Sequence, residues 1–142
     1  MIIRRCELFD MTSVYELIKM ELGYPKITES DVRKRFELMS LAENYNVFVA
    51  EFDGKVCGFI STVKEISLEV DGEILRVIGL AVKAEYQKKG IGSALLGTVE
   101  KAAAEHKYSV ITLSSNFKRT EAHKFYEKQG YIKTSYTFKK YL

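Results

Sequence analysis

Two lysines and two glycines crowd the ten-residue stretch from Ala84 to Ser93, "AEYQKKGIGS". Glycine lets a backbone approach a ligand closely, and lysines beside it favour negative charge. The stretch follows the apolar run Ile74 to Val82 and precedes residues of helical periodicity. A strand, a glycine loop and a helix N-terminus in succession make an anion site, because the first-turn N–H groups lack partners and the helix dipole favours negative charge there. A phosphorylated ligand is one reading; the other is that Gly90 and Gly92 only permit a tight bend. The loop is not a Walker A sequence, since no GxxxxGK[ST] occurs, and Leu95 stands where a dinucleotide fingerprint needs its third glycine.

These residues need elements to hold them. Ile2 to Cys6 reads as a strand, and Val14, Leu17, Ile18 and Leu22 recur at helical intervals over Met11 to Leu22. Gly23-Tyr24-Pro25 stops that helix, and a second helix over Thr28 to Leu41 buries Val32, Phe36 and Met39, with Thr28 or Ser30 as its N-cap. Val47 to Phe52, Val56 to Ile66 and Ile74 to Val82 are rich in β-branched and aromatic residues. Asp53-Gly54 and Asp71-Gly72 between them are hairpin-type dipeptides, so three antiparallel strands are expected. Gly92 to His106 carries Leu95, Leu96, Val99, Ala102 and Ala103 on one side of a third helix. Tyr108 to Leu113 is strand-like, and Thr120 to Gln129 is a helix ended by Gly130 in a left-handed position. Tyr131 to Ile132 and Tyr136 to Phe138 are expected to close the chain as strands. The expected fold is α/β, a single domain over residues 1–142 with a mixed β-sheet and flanking helices, in the order β-α-α-β-β-β-α-β-α-β-β.

Composition limits the function. The chain has 142 residues, 46% hydrophobic and 29% charged, which suits one globular domain with one core. A formal charge of +3 is too small for a protein that coats DNA. Lys118, Arg119, Lys124 and Lys128 form a basic run near aromatics, but Glu121 and Glu127 interrupt it, which disfavours nucleic acid. Cys6 and Cys57 form no CxxC pair, so no metal site is expected and a reducing cytoplasm fits best. No signal peptide opens the chain and no apolar run nears the roughly 20 residues that span a bilayer, so no membrane partner is expected. There is no GxSxG, and two histidines without recognisable partners give no ground for a hydrolase triad.

Two motifs in order, "LAVKAEYQKKGIGSALL" and "NFKRTEAHKFYEKQGY", make the chain resemble the GNAT superfamily of N-acetyltransferases. The first matches the family's Q/R-x-x-G-x-G/A loop and the second its A-x-x-F-Y-x-x-x-G-F/Y helix. "LGYP" and "VFVAEFDGKVCGFI" are similar to its usual openings, so the likeness covers nearly the whole chain.

The resemblance implies acetyl-CoA as cosubstrate, with its pyrophosphate on the backbone N–H groups of Gln87, Lys88, Lys89, Gly90, Ile91, Gly92 and Ser93. It implies that the pantetheine arm pairs with the backbone of Leu80, Ala81 and Val82 as an added strand would, and that Asn116 hydrogen-bonds it. Tyr126 is implied as the acid that protonates the departing thiolate: a phenol of pKa about 10 against a thiol of about 8.5. Phe125 keeps a core role. Arg119 stands where many members carry an asparagine, and His123 lies three residues before Tyr126. No carboxylate is assigned as general base, because the fourth strand reads Leu75-Arg76-Val77-Ile78 where some members carry a glutamate; Arg76 is a candidate for a substrate carboxylate or an ordinary surface arginine. The acceptor is a small-molecule or peptide amine, its cleft walled by Leu22 to Ile27 and Tyr131 to Tyr136, with Tyr24 and Tyr136 in the walls. A homodimer is left open. The alternative function is a non-catalytic acyl-CoA sensor or interaction module of the same fold.

Overall fold

In the computed structural model, which describes every residue from Met1 to Leu142, the elements follow the hydrophobic patterns. Strand β1 (Ile2–Arg5) leads through a short 3-10 turn to helix α1 (Met11–Glu21), followed by α2 (Glu29–Ser40). Thr28 caps α2, its hydroxyl oxygen accepting from the Asp31 N–H at 3.1 Å. Strands β2 (Tyr45–Phe52), β3 (Lys55–Glu65) and β4 (Ile74–Val82) come next, then α3 (Ile91–Glu105), β5 (Val110–Leu113) and α4 (Thr120–Lys128). Two compact units divide the chain, Met1–Thr112 and Leu113–Leu142.

The strands form one five-stranded sheet in the order β1-β2-β3-β4-β5, with β1 through β4 paired antiparallel. Asp53-Gly54 makes the expected two-residue turn, both residues at positive φ (49° and 75°) between the paired Phe52 and Lys55. Asp71-Gly72 instead ends the longer 66–73 loop between β3 and β4, with Gly72 at φ 84°. Ser109 donates its N–H to the Glu73 carbonyl at 2.9 Å, which sets the starts of β4 and β5 side by side. The two strands therefore run parallel, joined through α3, and the sheet is mixed.

Consecutive residues of β3 face opposite ways and define two layers. Phe59 packs with Met11, Val14 and Leu17 of α1, Val32 of α2, and Val49 and Ala81. Gly58 points to the other face, where a Cβ would meet Leu95 Cδ1 at 3.2 Å and Ile91 Cγ2 at 3.4 Å of α3. The run Cys57 to Val63 is buried throughout, as befits a central strand covered on both faces.

Residues 131–142 form no strand, contrary to the expectation for Tyr131–Ile132 and Tyr136–Phe138. Ile132, Tyr136 and Phe138 are exposed, and Ser114 Oγ to Thr137 Oγ1 at 3.1 Å is a side-chain link rather than a ladder. Alternating side chains give a segment two faces, but a strand also needs a partner edge for its backbone groups.

Asp10, buried at 3% exposure, locks β1 to the start of α1. Its carboxylate accepts from both terminal nitrogens of Arg4 at 2.8 and 2.9 Å and from the Glu7 N–H at 2.8 Å. Arg4 Nε also donates to Glu51 on β2 at 2.9 Å. Burial alone would raise the Asp10 carboxyl, but the Arg4 and Glu7 hydrogen bonds prevail and hold it below its ordinary 3.8. Beside it, burial first and the Asp10 charge second push the Cys6 thiol up to about 12, leaving an inert thiol. Asp10→Asn is expected to cost about 2 to 4 kcal/mol in urea unfolding, the range for a broken buried pair reduced for the partial exposure of Arg4. Because the folded carboxyl lies below the unfolded 3.8, the wild-type advantage is full above that pH and disappears as pH falls through the folded value. A deficit unchanged from neutral to strongly acid pH would contradict this.

Candidate active site

The site begins where β4 outruns β5. The strands start together, but β4 has 9 residues and β5 has 4, so about 5 residues of β4, Ile78 to Val82, extend beyond its neighbour. A register shift falls at the same place: Thr62 faces Val77 and Ser61 faces Gly79, leaving Ile78 as the extra residue of a bulge. A bulge bends and twists its strand, so β4 changes course where its pairing with β5 stops. On the other side the strand stays paired to β3, with Leu80, Ala81 and Val82 opposite Ile60, Phe59 and Gly58. Gly79 has no room for a side chain, since a Cβ would lie 2.8 Å from Ser61 Oγ and 3.1 Å from the Phe59 ring.

Past Val82 the chain makes a single 3-10 turn, Ala84–Tyr86, and enters the loop named from the sequence. Lys88 takes φ 61° and Gly90 φ 83°, left-handed conformations that turn the backbone into α3. Gly90 is the N-cap and supplies no side chain to the helix end, and the first turn holds no acidic residue. The first amide bonded back to the cap is that of Ala94, to Gly90 O at 3.0 Å. By position the Ile91 and Gly92 amides have no helical acceptor. A Cβ built on Gly90 would meet nothing within 4 Å, so open space lies over the helix end. The positive end of α3 and the open space over Gly90 are the two features that anion binding at a helix N-terminus requires.

Two side chains brace this loop, one of which sequence reasoning missed. Gln87 Nε2 donates to the Val82 carbonyl at 2.9 Å, fastening the loop to the end of β4. Glu21, the last residue of α1, accepts from the Ala84 N–H at 3.0 Å and from Gln87 Nε2 at 3.5 Å. That contact joins residues 63 apart in sequence, and a glutamate in the last turn of a helix carries no local sign of it. Lys89 stacks its ammonium 5.4 Å from the Tyr86 ring centre, while Lys83 pairs with Glu85 at 3.1 Å. Arg76 pairs with Glu65 on β3 at 3.2 Å, which matches its reading as a surface arginine. Next to the brace, the α1–α2 connection borders an open cavity of about 400 Å³ lined by Gly23, Tyr24, Pro25, Lys26, Ile27, Asp31 and Arg35.

The other named residues cluster in the second unit. Asn116 accepts the Lys118 N–H on its side-chain oxygen at 2.9 Å, closing a turn before α4. His123 Nε2 lies 2.8 Å from the Asn116 carbonyl, so the histidine ties α4 to that turn. At the other end of α4, Gly130 (φ 92°) gives its N–H to Glu127 O and Tyr131 gives its N–H to Tyr126 O, both at 3.0 Å, a Schellman ending with the expected glycine. The Tyr126 and Tyr131 rings meet edge-on at 6.2 Å, and Phe125 lies 5.4 Å from Tyr126. Burial raises the Tyr126 phenol above its ordinary 10.0, opposed by the Arg119 charge, so it stays protonated at neutral pH.

Comparison with known proteins fits this arrangement. Residues 43–133 match the model of the acetyltransferase (GNAT) domain. An aminoalkylphosphonate N-acetyltransferase of Salmonella typhimurium is 33% identical over 137 residues, covering 94% of this chain and 86% of the relative. A GNAT family acetyltransferase of Staphylococcus aureus superposes with a TM-score of 0.79 at 26% identity, covering 99% of this chain and 98% of that one. An aminoglycoside N-acetyltransferase in complex with CoA shares the fold, with a TM-score of 0.85 at 16% identity over 99% of this chain and 93% of the other. The chain belongs to the GNAT acetyltransferase family and is an acetyltransferase. No helix is long and apolar enough to cross a membrane.

Glu21→Ala is expected to free the loop without unfolding the sheet. It should cost about 1 kcal/mol, the worth of an ordinary hydrogen bond, and speed hydrogen exchange at the Ala84 amide more than at β3 amides. Unaltered exchange at Ala84 would mean that the carboxylate does not hold the loop.

Proposed function

We propose that this acetyltransferase moves the acetyl group of acetyl-CoA to the primary amine of a small molecule or peptide, by direct attack within a ternary complex. The observation that carries the reading is the open, uncapped N-terminus of α3 that follows the stretch of β4 extending beyond β5. A molecule with a pyrophosphate and an amide-bearing arm matches both parts. The pyrophosphate rests on the amides from Gln87 to Ser93, with Gly90 and Gly92 permitting close approach and Lys88 and Lys89 adding charge near it. The arm runs along the outer edge of Leu80, Ala81 and Val82, where β5 has ended, and takes their backbone groups as an added strand would.

A β4 N–H beside the thioester then donates to the oxygen that becomes negative when the amine adds to the carbonyl. The carbon–nitrogen bond forms, the carbon–sulfur bond breaks, and the sulfur leaves as a thiolate. Tyr126 is the proposed proton donor to that sulfur, with Asn116 a further contact to the arm. The raised phenol is a weaker acid than a free thiol, so the transfer relies on the poor solvation of a thiolate in a dry cleft. The nitrogen, cationic in the tetrahedral intermediate, loses its proton to water as the amide forms, and solvent returns a proton to the Tyr126 phenolate. The Salmonella relative, named for aminoalkylphosphonates, supports a small amine as acceptor. The chain is read as one catalytic domain over 1–142 acting in the cytoplasm.

Two variants test the proposal. Gly90→Val places a β-branched residue at φ 83° and fills the open space, so acetyl-CoA affinity should fall at least tenfold, about 1.4 kcal/mol, in a protein that keeps its circular dichroism. Wild-type affinity in that folded variant would remove the pyrophosphate seat. Tyr126→Phe keeps the ring against Tyr131 and removes only the hydroxyl. Single-turnover release of CoA thiol should drop by about 10² to 10⁴ while acetyl-CoA binding stays within a few-fold. Full single-turnover activity would leave Tyr126 only its packing role at the helix end.

A further inference from the structure

Two cavities of the first unit differ in the balance of charge around them. In the cavity of about 450 Å³ beside β1, Arg4, Lys55 and Lys83 are matched by Asp10, Glu16 and Glu51, with Arg4 closed onto Asp10 and Glu51, Lys83 onto Glu85, and Lys55 in no ion pair. In the cavity of about 400 Å³ at the α1–α2 connection, Lys26 and Arg35 form no ion pair. Asp31 stands one turn before Arg35, the ordinary spacing for a helical pair, yet no such bridge closes. The Asp31 carboxyl is held low first by the Thr28 hydroxyl, with the Arg35 charge acting only at a distance. Two cations and one carboxylate leave the cavity with an excess of positive charge, and 400 Å³ lies within the range of small-ligand sites.

Its position connects it to the donor loop. Glu21 touches Ala84 and Gln87, and Gly23, the first residue of the cavity wall, is two residues further along. Two residues span at most about 7 Å, so the cavity opens beside the loop proposed to seat acetyl-CoA. We propose that this cavity is a subsite for a negatively charged group on the acceptor, so that the preferred substrate is a small amine carrying a phosphonate, phosphate or carboxylate. The inference rests on the acetyl-transfer reading above. The Arg35 guanidinium offers the two-pronged donor geometry such oxyanions accept, and Lys26 adds a point charge on the loop.

The test is a calorimetric titration of 2-aminoethylphosphonate, β-alanine and neutral ethanolamine into the protein, with and without saturating CoA. The subsite requires that at least one anionic amine bind at least tenfold more tightly than ethanolamine. Lys26→Met and Arg35→Met, which keep an apolar stem, should each weaken that binding at least tenfold and leave CoA affinity and ethanolamine unchanged. The subsite is overturned if ethanolamine binds as well as both anionic amines, if both variants bind them as the wild type does, or if neither anionic amine binds. A protein that takes CoA and ignores the anions loses the subsite and keeps the acetyl-transfer reading; one that binds the anions and not CoA does the reverse. Matching thiol-release assays report whether the tighter anionic amine is also the better acceptor, and an advantage for ethanolamine there would likewise count against the proposal.

Discussion

The unequal length of two parallel strands is the constraint on which the site depends. β4 and β5 start together, tied by Ser109 to Glu73, but β5 ends after Leu113 while β4 continues to Val82. A strand edge without a neighbour inside a sheet leaves donors and acceptors available, a liability in an ordinary domain and, in the proposed function, the surface that takes the pantetheine arm. The Ile78 bulge falls where that cover stops. Gly79, pressed on Ser61 and Phe59, keeps the bent strand close to β3. Open edge and buried face thus coexist in five residues.

Electrostatics separates the parts that hold the fold from those left for ligands. The Arg4–Asp10–Glu51 group satisfies its charges internally and fixes β1, β2 and the start of α1 to one another. Glu21 and Gln87 spend their side chains on holding the donor loop, which leaves the loop's backbone amides as the groups on offer. The α3 N-terminus has neither a capping side chain nor an acidic residue in its first turn, an arrangement that would waste stability unless an anion completes it. Lys26 and Arg35 repeat that logic at the α1–α2 cavity.

The same chemistry can serve structure and reaction at once in α4. Tyr126 closes the helix end against Tyr131 and supplies a half-buried phenol whose proton is retained at neutral pH. His123 and Asn116, which the sequence offers as further candidates, are bonded to the turn that starts the helix. Asn116 Oδ1 and His123 Nε2 are engaged locally, so a ligand contact from Asn116 would use its side-chain NH2.

Local chemistry made much of this protein legible in its sequence. Period-two and period-3.6 patterns placed β1 to β5 and α1 to α4 within a few residues, since burying one face is a local requirement of each segment. Asp53-Gly54, the Thr28 cap and the Gly130 stop were legible because backbone angle or side-chain reach decides them alone. The glycine loop was legible for the same reason, positive φ at Gly90 being a property of residue type. Other features depend on what lies opposite. The Ile78 bulge needs the register of β3, the Glu21 brace joins segments 63 residues apart, and the Arg4–Asp10 pair has its meaning only because Asp10 is buried. The alternation in residues 131–142 suggested strands that the structure does not form, because side-chain pattern is written in the segment itself whereas a hydrogen-bonding edge must be supplied by another one.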